Sequence, residues 1–139
     1  MPYTILPHTA DWMVEATGKT LEEAFCEAAK GAFEVVIDPK LVDEKISYSI
    51  DVTAKRKMTL LYEFIEQLII LQDTKGFILH EVKQMRMTQQ GEEFHLTCTV
   101  VGDHHKNYDT HSAIKSMTYS DMLIKEEKGK VTVRLTVDI

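Results

Sequence analysis

Val131-Thr132-Val133-Arg134-Leu135-Thr136-Val137-Asp138-Ile139 closes the chain with an unbroken alternation of apolar and polar residues. A period of two is the signature of a strand with one face buried. It sends Val131, Val133, Leu135, Val137 and Ile139 inward, and Thr132, Arg134, Thr136 and Asp138 to the other face. Working back, a turn at Glu126 to Gly129 joins this strand to another over 113–125, which makes a hairpin. Residues 77–88 and 93–101 form a second hairpin around Gln89-Gln90-Gly91-Glu92. From Gly76 to the end the chain reads as strands alone.

The first half mixes element types. Residues 12–17 have the length and residue types of a short strand, ended by Gly18. Thr20 then reads as a helix N-cap, with Glu23 completing a capping box. Leu21, Ala24, Phe25, Ala28, Ala29, Ala32, Phe33, Val36 and Ile37 form the stripe of an amphipathic helix, which Asp38-Pro39 stops. Residues 46–54 alternate as a half-buried strand, with Ile46, Tyr48, Ile50, Val52 and Ala54 on one face. A second helix spans 59–72, carrying Leu60, Leu61, Phe64, Ile65, Leu68 and Ile69 on one face. Ile70 and Leu71 on its far side predict deeper burial at that end, and Gly76 breaks it. The order is β-α-β-α-β-β-β-β. Strands gathered in the second half point to an α+β fold, two helices packed on a mainly antiparallel sheet. Residues 1–139 are expected to be a single domain.

Composition narrows the function. The chain is 44% hydrophobic and 27% charged, as in soluble globular proteins, and its apolar runs are too short to span a bilayer. No basic stretch followed by an apolar one opens the chain, so a cytoplasmic location and no membrane association are expected. Cys26 and Cys98 sit far apart within apolar patterns, as buried thiols do in a reducing compartment. The net charge of −6, with Lys55-Arg56-Lys57 the only basic run, argues against direct nucleic-acid binding. Contact with nucleic acid is expected only through a partner protein.

Three groups of residues are candidates for chemistry. Asp11, entering the first strand after His8-Thr9-Ala10, and Asp138, in the last strand, would meet if those strands are neighbours. With the α-carboxylate of Ile139 they would suit a hard divalent cation. Spacing alone favours a plainer reading, a turn-capping Asp11 and a solvated Asp138. The stretch 102–112 is the longest irregular one, and its His104, His105, Asp109 and His111 have metal-ligand chemistry without the spacing of a known site. His80 and His95 read as solvent-face residues of strands. Lys115 falls in Ala113-Ile114-Lys115-Ser116-Met117-Thr118-Tyr119, where strand phase groups it with Met117 and Tyr119. There is no Gly-rich phosphate loop and no Gly-x-Ser-x-Gly elbow.

Three segments together carry a resemblance. They are His8-Thr9-Ala10-Asp11 leading to Thr20-Leu21-Glu22-Glu23-Ala24-Phe25, then Gly102 to His111 leading into Ile114-Lys115 and Thr118-Tyr119, and finally Val137-Asp138-Ile139. In this order, and over essentially the whole length, the chain resembles the archease family. The resemblance implies a protein cofactor and not an enzyme of its own: an activator of the RtcB-type RNA ligase of tRNA splicing, promoting ligase guanylylation and multiple turnover. It also implies a divalent cation, calcium, held by Asp11, Asp138 and the carboxylate end of Ile139, with Lys115 and His111 linked to activity. Ser116 and Met117 depart from the family's small and β-branched residues, and Ser120 replaces a frequent histidine. Two other readings stand beside this one. The first is a metal-dependent hydrolase built on the 104–111 loop. The second is a chaperone-like binding module for RNA-modifying proteins.

Overall fold

The caps and turns that bound the elements form as their residues dictate. A computed structural model describes residues 2–6 and 11–139, so the His8-Thr9-Ala10 part of the N-terminal motif lies outside the described residues. Helix α1 (Leu21–Phe33) starts at Thr20, whose hydroxyl accepts from the Glu23 amide at 3.2 Å. The Glu23 carboxylate reaches back to the Lys19 amide at 2.8 Å. Helix α2 (Lys57–Lys75) ends at Gly76, which adopts φ +65° and donates its amide to the Gln72 carbonyl. That left-handed conformation suits glycine, and a Cβ there would meet the imidazole of His104.

The strands divide into two antiparallel sheets. One contains β1 (Tyr3–Leu6), β2 (Asp11–Gly18), β6 (Ser116–Glu127) and β7 (Lys130–Asp138), in the order β1-β2-β7-β6. The other contains β3 (Ile46–Ala54), β4 (Phe77–Gln90) and β5 (Glu93–His104), in the order β3-β5-β4. The α+β class and the expected order hold from Asp11 onward, with β1 as one further strand ahead.

Both helices touch both sheets: α1 packs on β2, β7 and β4, and α2 on β3, β5, β4 and β6. Phe25 of α1 and Phe64 of α2 are fully buried, with ring centroids 6.3 Å apart and planes 11° from parallel. Helix α1 sits close on β2. A Cβ at Gly31 would overlap the Val14 and Tyr3 side chains, and the Trp12 indole donates to the Gly31 carbonyl at 2.9 Å. Cys98 is buried and Cys26 partly so; both are free thiols, and burial pushes both pKa values up to about 12. They are therefore protonated near neutral pH.

Two details depart from the sequence pattern. Ile70, expected to be deeply buried, is 45% exposed, because α2 buries a face ending at Leu68 and Ile69. His80, expected on a solvent face, is half-buried with its Nδ1 3.0 Å from the Pro39 carbonyl.

The outer edge of β6 is met by side chains of α2. The Gln72 amide nitrogen donates to the Ile114 carbonyl at 2.8 Å, and its oxygen accepts from the Ile114 amide at 3.1 Å. Glu66 accepts from the Met117 amide, and the Tyr62 hydroxyl donates to the Met117 carbonyl. A strand edge left open is a template for pairing with another chain; here a helix occupies part of it.

Candidate functional site

Pairing β2 with β7 puts the two terminal aspartates together. Asp11, the first residue of β2, lies directly opposite Asp138 in the antiparallel register. Such partners share a face and place their Cβ atoms roughly 4.5–5.5 Å apart. On the other side of Asp138 lies Ser116 of β6, whose hydroxyl donates to Asp138 Oδ2 at 2.9 Å. The Lys115 amide donates to the Asp138 carbonyl at 2.8 Å. All three side chains, of Asp11, Ser116 and Asp138, are half-buried.

The same face shows what the sheet does elsewhere with charge. Four positions along, Glu15 lies opposite Arg134, and two of the arginine's nitrogens donate to Glu15 Oε2 at 2.7 and 3.2 Å. At the end of the strands the register sets acid opposite acid, Asp11 against Asp138. Between these pairs Thr136 is fully buried, and its hydroxyl has no hydrogen-bond partner among the described residues. An orphaned hydroxyl beside opposed carboxylates is a feature that packing alone does not favour.

The chemistry of these donors fits a hard cation: the carboxylate oxygens of Asp11 and Asp138, with the Ser116 hydroxyl bonded to one of them. Among the described residues no group of three or more His, Cys, Asp and Glu side chains is arranged to hold a metal ion. A cation here would draw on two aspartates, the adjacent backbone oxygens of Ile139, and water.

Of the two residues that the resemblance singled out, Lys115 borders this cluster, and His111 bonds through its amide to Val36 instead. Lys115 is exposed and stands just before β6, tied by its backbone to Asp138. Its expected grouping on one face with Met117 does not hold. Ladder pairing starts at Ser116, and Gln72 pins Ile114 into the core, so Ile114 and Met117 are both buried while Lys115 is not. His111 is exposed, its amide donating to the Val36 carbonyl at 2.8 Å.

The histidine-rich stretch is more ordered than its composition implies. Residues 102–104 extend β5, and His105–Asn107 form a single 3-10 turn. Asp103, 3% exposed, organises it by accepting from the His104 amide at 2.8 Å, Tyr108 Oη at 2.9 Å and Asn107 Nδ2 at 3.2 Å. The His104 amide above all, then the Tyr108 and Asn107 donors, hold its carboxyl below the usual value against the opposing effect of burial. Tyr108 Oη in turn accepts from the Asp43 amide at 2.9 Å. The His104 and His105 rings stack at 4.7 Å, and this stretch has no built metal centre.

Ser116 is the member of the cluster that sequence reading did not assign. Its role depends on which strand lies beside β7, and no local pattern carries that.

The sequence pattern of the archease protein family matches residues 3–139. The chain belongs to the archease family. It is 37% identical over 134 residues to Protein archease of Aeropyrum pernix, covering 95% of this chain and 93% of that one. It is 31% identical over 132 residues to Protein archease of Methanothermobacter thermautotrophicus, with 94% of each covered. The solution structure of Methanobacterium thermoautotrophicum protein 1598 superimposes with a TM-score of 0.84 at 27% identity, covering 99% of both chains. The archease fold is thus shared over the whole length. No helix among the described residues is long and apolar enough to cross a membrane.

Proposed function

We propose that this chain is a protein cofactor of an RtcB-type RNA ligase in tRNA splicing, promoting ligase guanylylation and multiple turnover, and has no catalytic turnover of its own. The observation that carries this reading is the directly opposed pair Asp11 and Asp138 in a chain of the archease family. A divalent cation such as calcium, held by Asp11, Asp138 and the backbone oxygens of Ile139, would offset the repulsion of the carboxylates and supply a hard positive charge.

The chain's own residues set up that end. Ser116 fixes one Asp138 oxygen by its hydrogen bond, which leaves the other oxygen for a ligand. Lys115, held next to Asp138 by its amide, keeps its ammonium exposed at the same end, where it can meet phosphate or carboxylate groups of the partner. The acidic balance of the chain fits contact with RNA through the ligase rather than directly.

The test is guanylylation of the cognate ligase with and without this protein. Stimulation is expected, and Asp11→Ala or Asp138→Ala should reduce it to the unstimulated rate while leaving the circular-dichroism spectrum unchanged. Full stimulation by both variants would remove the carboxylate pair from the mechanism.

A further inference from the structure

We infer that the exposed stack of Tyr62 and Tyr119 is a second contact point for the ligase and receives an arginine side chain from it. The inference rests on the proposed activator role and extends the contact beyond the carboxylate end. Tyr119 is 48% exposed and its ring lies 4.3 Å from that of Tyr62, with planes 15° apart. The arrangement is built by the fold. The β6–β7 register shifts between Thr118 and Leu123, and within that irregularity Asp121 adopts φ 55°. A positive φ is uncommon for a residue with a side chain, and bulges serve to re-aim neighbouring side chains. Here the chain leaves the ladder after Thr118, and Tyr119 comes to lie on α2. Met58, one turn before Tyr62 and 37% exposed, extends the apolar surface.

The charges near the stack choose the ligand. Glu66, one turn after Tyr62 on α2, accepts from the Met117 amide, and the Tyr62 hydroxyl donates to the carbonyl of that same residue, so a carboxylate sits beside the stack. Glu63 follows Tyr62 directly on the helix. A guanidinium is planar, stacks on an aromatic face and pairs with carboxylates, so arginine satisfies ring and rim together. Stacked tyrosines also suit nucleic-acid bases, but a nucleic acid would bring phosphates against Glu63 and Glu66. Lys57, in the first turn of the same helix, is already paired with Glu126 at 2.6 Å. Tyr119 follows Ser116 by three residues and lies on the α2 side of the β6 edge, where the Tyr62 hydroxyl also donates to the Met117 carbonyl.

The experiment is calorimetric titration of the ligase with wild-type protein, Tyr119→Phe, Tyr119→Leu and Glu63→Gln, at fixed calcium, with calcium affinity measured separately. Tyr119→Phe should bind as the wild type does. Tyr119→Leu keeps an apolar contact on Tyr62 but removes the aromatic face, and should weaken binding roughly tenfold with calcium affinity unchanged. Glu63→Gln should weaken binding at low salt. Tyr119→Leu binding as tightly as wild type, while Asp138→Ala binds weakly, would overturn the arginine contact alone. A wild-type protein that does not bind the ligase would overturn the activator role and this contact with it. Retention of a single-stranded RNA oligonucleotide by wild type, lost in Tyr119→Leu, would overturn it in favour of a base-stacking surface.

Discussion

Asp138 has an acid across the strand pair on one side and a hydroxyl on the other, whereas Glu15 on the same face has been given an arginine. Asp138→Asn keeps an oxygen for the Ser116 hydroxyl, and its urea denaturation without added metal should stay within about 1 kcal/mol of wild type. Calcium should raise the melting temperature of the wild type and not that of this variant, because a ligand that binds the native state alone stabilises it. A second residue-scale prediction concerns Asp103. Its folded pKa lies below the ordinary 3.8, so its contribution is fully present above 3.8 and is lost as pH falls below 3.8 and through the folded value. Asp103→Asn should be less stable at neutral pH and show a flatter acid limb in a stability–pH series. That Asp103 is a hub was not legible in the sequence: its partners His104, Asn107 and Tyr108 read as an irregular polar stretch. Only the hydrogen bonds show that this stretch closes on a buried carboxylate. The burial of Thr136 was not legible for a related reason. Alternation put it on the polar face correctly, but which parts of that face are covered is decided by contacts between distant residues.

Elements with local signals were readable. Thr20 and Glu23 announced the start of α1, and the alternation at 46–54 announced β3, because capping and pleat are set by neighbours within a few residues. The four-residue β1 carried no such pattern, and the register shifts in β4 and β6 interrupt alternation without a sequence mark. The protected edge of β6 belongs to this scale. Gln72 completes both backbone hydrogen bonds of Ile114, so Gln72→Ala leaves a buried residue's amide and carbonyl without their side-chain partner. It should cost about 1–3 kcal/mol in chemical denaturation. Hydrogen exchange at the Ile114 amide should speed up in the same variant. Unchanged protection there would mean that Gln72 is incidental to the edge.

For the molecule as a whole, two helices joining two sheets make the parts depend on one another. Among the described residues the strand ladders of the two sheets are separate; both sheets are packed by α1 and α2, whose Phe25–Phe64 contact lies in the buried core. Phe64→Ala should cost about 3–5 kcal/mol. The loss should appear as one transition, with Trp12 fluorescence from the first sheet and far-ultraviolet circular dichroism coinciding. Separate transitions would show that the sheets unfold independently. The division into two sheets was not visible in the sequence, because Asp11 and Asp138 become neighbours only through a pairing that spans nearly the whole chain. That pairing is also what the proposed function depends on. The most direct measurement is multiple-turnover RNA joining by the cognate ligase with this protein at substoichiometric amounts, comparing wild type with Asp138→Asn. The expected result is repeated turnover with wild type and a single round with the variant. Equal turnover with both would contradict the carboxylate pair as the centre of activation.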